Sequence, residues 1–288
     1  MKCKLLDVFT SEAFNGNGLT VFHDFENLTD HMMMKLTQEM RQFESIFVSR
    51  EDSSPTESPD RFRARIFTME EELDFAGHPL IGLGAHLHEE FGLRDHHNWK
   101  IQLNNREIEL DTKISESYFE TRMQLGKPDF IKTLSNGEAN EMLPTLNLSF
   151  DDTGAHPLEV ISNGLPYLIV PVIDGIEKAQ ITHDDFESLL DNHGAKFVYV
   201  LDVKSQEGRT WDNAGNVEDV ATGSAAGPAA SYLWKHQLLP NSQLLHLSQG
   251  RFVDRPSIMD LKIHEDKQGI ANLELSGKVC KVANIEFV

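Results

Sequence analysis

The sequence predicts an α+β protein of two pseudo-symmetric domains, each a β-sheet or barrel wrapped around a central helix. Three observations carry this reading. First, Asp74-Phe-Ala-Gly-His-Pro-Leu-Ile-Gly-Leu-Gly-Ala85 aligns without gaps on Asp219-Val-Ala-Thr-Gly-Ser-Ala-Ala-Gly-Pro-Ala-Ala230. The offset is 219 − 74 = 145, and Asp74/Asp219, Ala76/Ala221, Gly82/Gly227 and Ala85/Ala230 are identical pairs. Second, Asn17-Gly-Leu19 echoes Asn163-Gly-Leu165 at an offset of 163 − 17 = 146, and two matches in one register point to a duplicated domain. Third, both motif segments run into helices that are small or apolar on every side. A helix of that kind is buried on every side, and a sheet wrapped around it is the economical way to bury it among strand-like neighbours.

The elements follow in order. Lys4–Phe9 and Leu19–Phe22 are short apolar runs flanking the turn-rich Phe14-Asn-Gly-Asn-Gly18. Thr29-Asp30 can cap a helix running through a Met-rich segment to about Met40. Ser45–Ser49 reads as a strand with Glu44 just before it, and Glu51–Asp60 has loop composition. Phe62, Ala64 and Ile66 alternate with Arg61, Arg63 and Arg65, a strand with one wet face. The first motif helix then stops at Gly92, a suitable residue just past a helix end, and Glu107–Lys113 alternates again.

The second half repeats the style. Glu159–Ile161 and Tyr167–Val172 flank Ser162-Asn-Gly-Leu-Pro166. Thr182 is read as beginning a helix, with Asp185 in a capping-box position and Gly194 after its end. Lys196–Leu201 is a strand, and the second motif helix spans about Ser224 to Gln237, with an irregular first turn because of Pro228. Strands fill Gln243 to Phe287. Lys127–Phe150 is the most linker-like tract, so the domains are expected at 1–125, joined by a final strand at about 279–288, and at 126–278.

Composition excludes several function classes. Of 288 residues, 26 are basic and 46 acidic, a net charge of −20 that repels nucleic acid and anionic membrane. No apolar run is long enough for a transmembrane helix, and the first residues lack a signal-peptide core, so the expectation is a cytoplasmic protein. Two cysteines, Cys3 and Cys280, are too few for a disulfide framework or a thiolate metal site, and both sit in apolar runs suited to inert buried thiols.

The two helix starts hold the candidate chemistry. Gly77-His78-Pro79 and Thr222-Gly223-Ser224 lie where unpaired backbone N–H groups and the positive helix end suit a carboxylate or phosphate. Ordinary capping is the alternative, since Ser and Thr are good N-caps. Two copies in register favour a ligand site, because pseudo-symmetric halves can turn both helix ends into one cleft. His78 at a helix start tends to stay neutral and able to carry one proton. Asp219 is either a second ionisable group or an N-cap, and its counterpart Asp74 has no further distinction. His86, His88, His96 and His97 do not complete a metal-ligand pattern, so no metal is expected. No dinucleotide fingerprint, P-loop or nucleophile elbow is present, and no cofactor is expected.

These segments resemble the phenazine biosynthesis PhzF-like family, which shares the diaminopimelate epimerase-like fold. The resemblance covers nearly the whole chain. It is carried by Asp7-Val-Phe-Thr10 with Phe14-Asn-Gly-Asn17, by Glu44-Ser-Ile-Phe-Val48, and by Arg65-Ile-Phe-Thr68 with Leu73-Asp-Phe-Ala-Gly-His-Pro79. Glu218-Asp-Val-Ala-Thr-Gly-Ser-Ala225 is the most specific match, and Gln249-Gly with Arg255-Pro-Ser257 adds a late one. It implies a cofactor-independent isomerase that moves a proton on a small carboxylate substrate, with Glu44 as acid/base. His78 and Asp219 join Glu44 as the implied catalytic set, and Asn17, Gly77, Thr222, Gly223 and Ser224 form the substrate-binding set. A homodimer is implied as well.

The chain departs from the family pattern at Val220, at Gly16-Asn17-Gly18, at Met69 and across Arg209-Thr-Trp-Asp-Asn213, which leaves the substrate open. Two other readings stand beside it. A two-thiol racemase needs a cysteine at each motif, where this chain has Gly77-His78 and Gly223-Ser224. A non-catalytic small-molecule or protein-binding module could use the same scaffold.

Overall fold

The computed structural model describes residues 2–23, 25, 27–50, 60–92, 94–239 and 244–287. The chain forms two compact units, Met1–Gln124 with Ser276–Val288, and Leu125–Leu275. Most of the expected loop Glu51–Asp60 lies outside the described residues, as does Gln243.

The first unit contains β1 (Lys2–Val8), β2 (Asn17–His23), α1 (Asp30–Met40), β3 (Glu44–Arg50), β4 (Arg61–Thr68), β5 (Glu72–Leu73), α2 (Gly77–Phe91), β6 (His96–Gln102) and β7 (Glu107–Ile114). β8 (Phe119–Gly126) follows and runs into the second unit, which holds β9 (Asp129–Thr133), α3 (Asn136–Met142), β10 (Glu159–Ser162), β11 (Pro166–Val172), α4 (Phe186–Asp191), β12 (Phe197–Asp202), β13 (Glu207–Arg209), α5 (Gly223–Lys235), β14 (Leu244–Gln249) and β15 (Ser257–Asp266). The long β16 (Gly269–Glu286) begins in the second unit and ends in the first.

In the first unit the strand order is β1-β2-β3-β4-β6-β7-β8-β16, and β1 pairs β16 again, from Lys2↔Glu286 to Val8↔Val279, so the ring closes. In the second unit the order runs β16-β15-β14-β13-β12-β11-β10-β9. The duplication extends to pairing. β1 and β2 are antiparallel, β2 and β3 parallel across α1, and β3 and β4 antiparallel before α2. β10, β11, β12 and β13 repeat that series across α4 and before α5. The α+β class is the observed one.

Each motif helix is surrounded as its composition demands. Every residue from Gly77 to His88 is buried, and α2 packs against β1, β2, β3, β6 and β7. Leu80, Ile81, Leu83 and Leu87 are fully enclosed, each contributing roughly 1.5–3 kcal/mol of transfer free energy before the entropy of ordering is deducted. A Cβ on Gly82 would lie 2.3 Å from Leu19 Cδ2, and one on Gly227 would lie 2.7 Å from Asn163 Oδ1. The identical glycine pair therefore lets each helix meet the Asn-Gly echo of its own half.

Several expectations are corrected. The helix read from Thr182 starts at Phe186: Asp185 is its N-cap, accepting from the Ser188 N–H, and the Thr182 hydroxyl turns to the carbonyls of Pro144 and Thr145. Gly92 ends α2 with φ −66, so no left-handed conformation calls for glycine there. Space does, because a Cβ would lie 2.5 Å from the His88 carbonyl. Lys127–Phe150 is no linker. It contains β9, α3 and a 3-10 turn at Leu143–Leu146, and its Leu134, Met142, Leu143, Leu146 and Leu148 enter the second unit's core. α5 runs through Pro228 from Gly223 to Lys235, two residues short of the end expected at about Gln237, and its first turn is tightened as expected, the Ala225 N–H bonding the Thr222 carbonyl at 3.0 Å. No helix among the described residues is long and apolar enough to cross a membrane.

Candidate active site

The candidate residues fall into two sets, one in each unit. In the first, Glu44 is the opening residue of β3 rather than the residue before it, beside Leu19 of β2 in parallel register. Its side chain is only 17% exposed, and Oε2 lies 3.3 Å from Nδ1 of His78, the second residue of α2. Burial pushes the His78 imidazole down to about 3, against the opposing pull of the Gly18 backbone. His78 is therefore neutral near pH 7. Its Nε2 is buried with no hydrogen-bond partner among the described residues. A buried lone pair is tolerated better than a buried N–H, which assigns the single ring proton to Nδ1, the nitrogen facing Glu44.

The turn before β2 shapes this set. Asn17 is buried and pairs with Val8. Gly16 has φ +68, and a Cβ there would lie 2.4 Å from the Val8 carbonyl, so only glycine fits. Gln42, two residues before Glu44, packs so closely on Gly18 that a Cβ would lie 2.0 Å from its Oε1. The N-cap of α2 is Ala76, which offers no side-chain cap, and its first turn, beginning at Gly77, carries no acid.

The second set is Asp219, Thr222, Gly223 and Ser224. Thr222 precedes α5 but makes no side-chain cap, because its hydroxyl donates to Asp219 Oδ2. Asp219 is thus not the simple helix cap that remained open from the sequence. Its own N–H donates to the Thr210 carbonyl at 3.0 Å. The preceding Glu218 is gripped by Arg209 through two bonds of 2.9 and 2.6 Å. Ser224 Oγ is 2.7 Å from the Tyr167 hydroxyl. Gly223 opens the helix. Sequence reasoning missed Tyr167, Tyr199, Gln249 and Gln42 as partners of these sets. Only Gln249 carried a signal, since it stands in a motif of the family resemblance.

The other singled-out groups have ordinary partners. His86 Nε2 lies 3.0 Å from His23 Nδ1, whereas His88 bonds Thr112 at 2.7 Å and the Arg94 carbonyl at 3.0 Å. Cys3 and Cys280 are buried, and burial raises both thiols, Cys3 to about 11.

Comparison with known proteins first defines a class. A crystal structure of a probable proline racemase from Agrobacterium radiobacter K84 is 9% identical and covers 100% of this chain and 92% of its own, at a TM-score of 0.62, which establishes a shared fold alone. The structure of a predicted epimerase from Pseudomonas aeruginosa is 42% identical over 100% of this chain and 99% of its own, at a TM-score of 0.92. The architecture is that of the diaminopimelate and proline epimerase-like folds.

The family is narrower. The model of the phenazine biosynthesis-like protein family matches residues 6–284. Trans-2,3-dihydro-3-hydroxyanthranilate isomerase from Pseudomonas fluorescens is 31% identical over 290 residues, 95% of this chain and 94% of that relative. The chain belongs to the phenazine biosynthesis-like protein family, a family of isomerases and epimerases.

Proposed function

We propose that the protein is a cofactor-independent isomerase in which Glu44 moves a proton on a small carboxylate substrate. The observation that carries the reading is the Glu44–His78 contact. A half-buried carboxylate lies 3.3 Å from a ring nitrogen that burial keeps from charging. The neutral imidazole, whose single ring proton goes to the Gly18 backbone, packs against the carboxylate without competing for its role, leaving Glu44 to accept and return a proton. In this reading the second set is the substrate-binding one. Gly223 and Ser224 N–H groups and the Ser224 hydroxyl meet the substrate's carboxylate, and Asp219 meets a donor on the same molecule.

A single proton carrier is favoured over a pair. In the aligned motifs Gly223 stands where the first unit has His78, so the second helix start has no imidazole. The chemistry is a proton shift within one molecule: Glu44 takes a proton from one carbon and returns it to another atom of the same conjugated system. No redox change or co-reactant is needed.

The test begins with trans-2,3-dihydro-3-hydroxyanthranilate, on which a relative acts by name, followed by other small unsaturated carboxylates in deuterated water. Isomerisation with deuterium uptake is expected, and Glu44→Gln should reduce it about 10³-fold while leaving the fold intact. Undiminished turnover by Glu44→Gln would remove the glutamate from the mechanism. Tight binding of these compounds without any proton exchange would instead make the protein a binding module.

A further inference from the structure

We propose that Gln249 is a positioning residue for this reaction, fixing the Asp219 carboxylate and the start of α5 relative to one another. The proposal rests on the proton-transfer reading above. Gln249 closes β14 and is 1% exposed, and its amide has four partners. Nε2 donates to the Asp219 carbonyl at 2.9 Å and to Thr222 Oγ1 at 3.0 Å. Oε1 accepts from the Thr222 N–H at 3.2 Å and from the Tyr199 hydroxyl at 3.1 Å.

The direction of every bond follows from chemistry. A backbone N–H only donates and a backbone carbonyl only accepts, so the amide has one orientation. Thr222 has one hydroxyl hydrogen. Because Nε2 gives a hydrogen to Oγ1, the hydrogen of Thr222 goes to Asp219 Oδ2. Tyr199 is fully buried, and burial pushes its phenol far above the usual range, so it remains a donor to Oε1. Gly208 makes room for it, since a Cβ there would lie 1.9 Å from the Tyr199 hydroxyl oxygen.

The consequence is mechanical. One amide grips the backbone at both ends of Asp219-Val-Ala-Thr222 and sets the hydroxyl that holds the carboxylate. A buried network with each member satisfied rigidifies the segment it joins. A misplacement of about 1 Å at a reacting group lowers turnover about 100-fold, which is the effect expected here.

The experiment compares wild type, Gln249→Met, Gln249→Glu, Thr222→Val and the Gln249→Met/Thr222→Val double variant. It measures kcat and KM for trans-2,3-dihydro-3-hydroxyanthranilate, binding of anthranilate by calorimetry, and Tm. Gln249→Met should lower kcat per folded molecule about 100-fold with KM changed less than about threefold. Gln249→Glu, which keeps the acceptor for Thr222 N–H and Tyr199, should fall between. The double variant should be no slower than either single one, because both break the same chain of bonds.

Wild-type kcat in Gln249→Met and Gln249→Glu, with only Tm lowered, makes Gln249 structural and overturns the proposal. Losses that add in the double variant overturn it too. Glu44→Gln separates the two ideas: full activity there removes the proton-transfer reading itself. A wild-type protein that turns over neither the first compound nor the other unsaturated carboxylates and does not bind anthranilate overturns both.

Discussion

The starts of α2 and α5 come from one repeated pattern, yet they have been taken to opposite chemical ends. At the first, polar atoms are few and dry: His78 is held neutral by burial, its Nε2 has no partner among the described residues, and it faces a single carboxylate. At the second, Asp219, Thr222, Gln249 and Tyr199 form a connected set of hydrogen bonds, and Ser224 meets Tyr167. What packs has been kept, as in the Gly82/Gly227 pair. What titrates has diverged, with Gly223 standing where the first unit has His78.

Substitutions can break this contrast, beginning with the largest effect. Glu44→Gln should lower kcat about 10³-fold, whereas Asp219→Asn should lower it less, about 100-fold as in Gln249→Met and with KM little changed, and steady-state kinetics of both variants would check the division of labour. A larger kcat loss in Asp219→Asn than in Glu44→Gln would reverse the roles.

Next come the paired glycines of the two helices. Gly82→Ala and Gly227→Ala should each destabilise by about 1–3 kcal/mol through overpacking, measured by urea denaturation. Gly82→Ala should be the worse, since its Cβ would meet Leu19 at 2.3 Å against 2.7 Å for Gly227 and Asn163. Equal stability of both variants with wild type would show that the helices shift freely in their sheets.

The third is a pH effect of the first helix start. His78 titrates near 6.5 when unfolded and about 3 when folded, so between those values the unfolded chain binds the extra proton. Stability contributed by its burial is complete above about 6.5 and is lost as pH falls toward 3. His78→Asn should flatten that acid slope in unfolding titrations from pH 7 to 4. A slope unchanged by the substitution would assign it to other groups. The smallest effect is Ser224→Ala, which should weaken anthranilate binding about fivefold by removing one hydrogen bond. An unchanged affinity would detach that hydroxyl from the ligand.

The fold was legible because its signals are periodic and doubled. The all-round smallness of Leu80–Ala85 and Ala225–Ala230 demanded burial, and the alternation through Arg61–Ile66 named a half-wet strand. Lys127–Phe150 misled because its Pro, Ser, Asn and Gly residues mask apolar ones spaced for short helical turns, and burial of Leu143 and Leu146 depends on long-range packing. Thr182 and Asp185 both suit a helix start, and only tertiary contacts to Pro144 and Thr145 decide between them. Glu44 reads from its own residues as a strand-edge acid, and its candidacy came wholly from family resemblance. The Gln249 network joins residues far apart in sequence, which no spacing rule reaches.

β16 carries a further consequence. The first barrel closes only when Lys2–Val8 finds Val279–Glu286, so its seam stays open until β16 has been synthesised. During synthesis β1 presents an unmatched border until then. Slow translation of the β16 codons would lengthen the interval in which that border can aggregate.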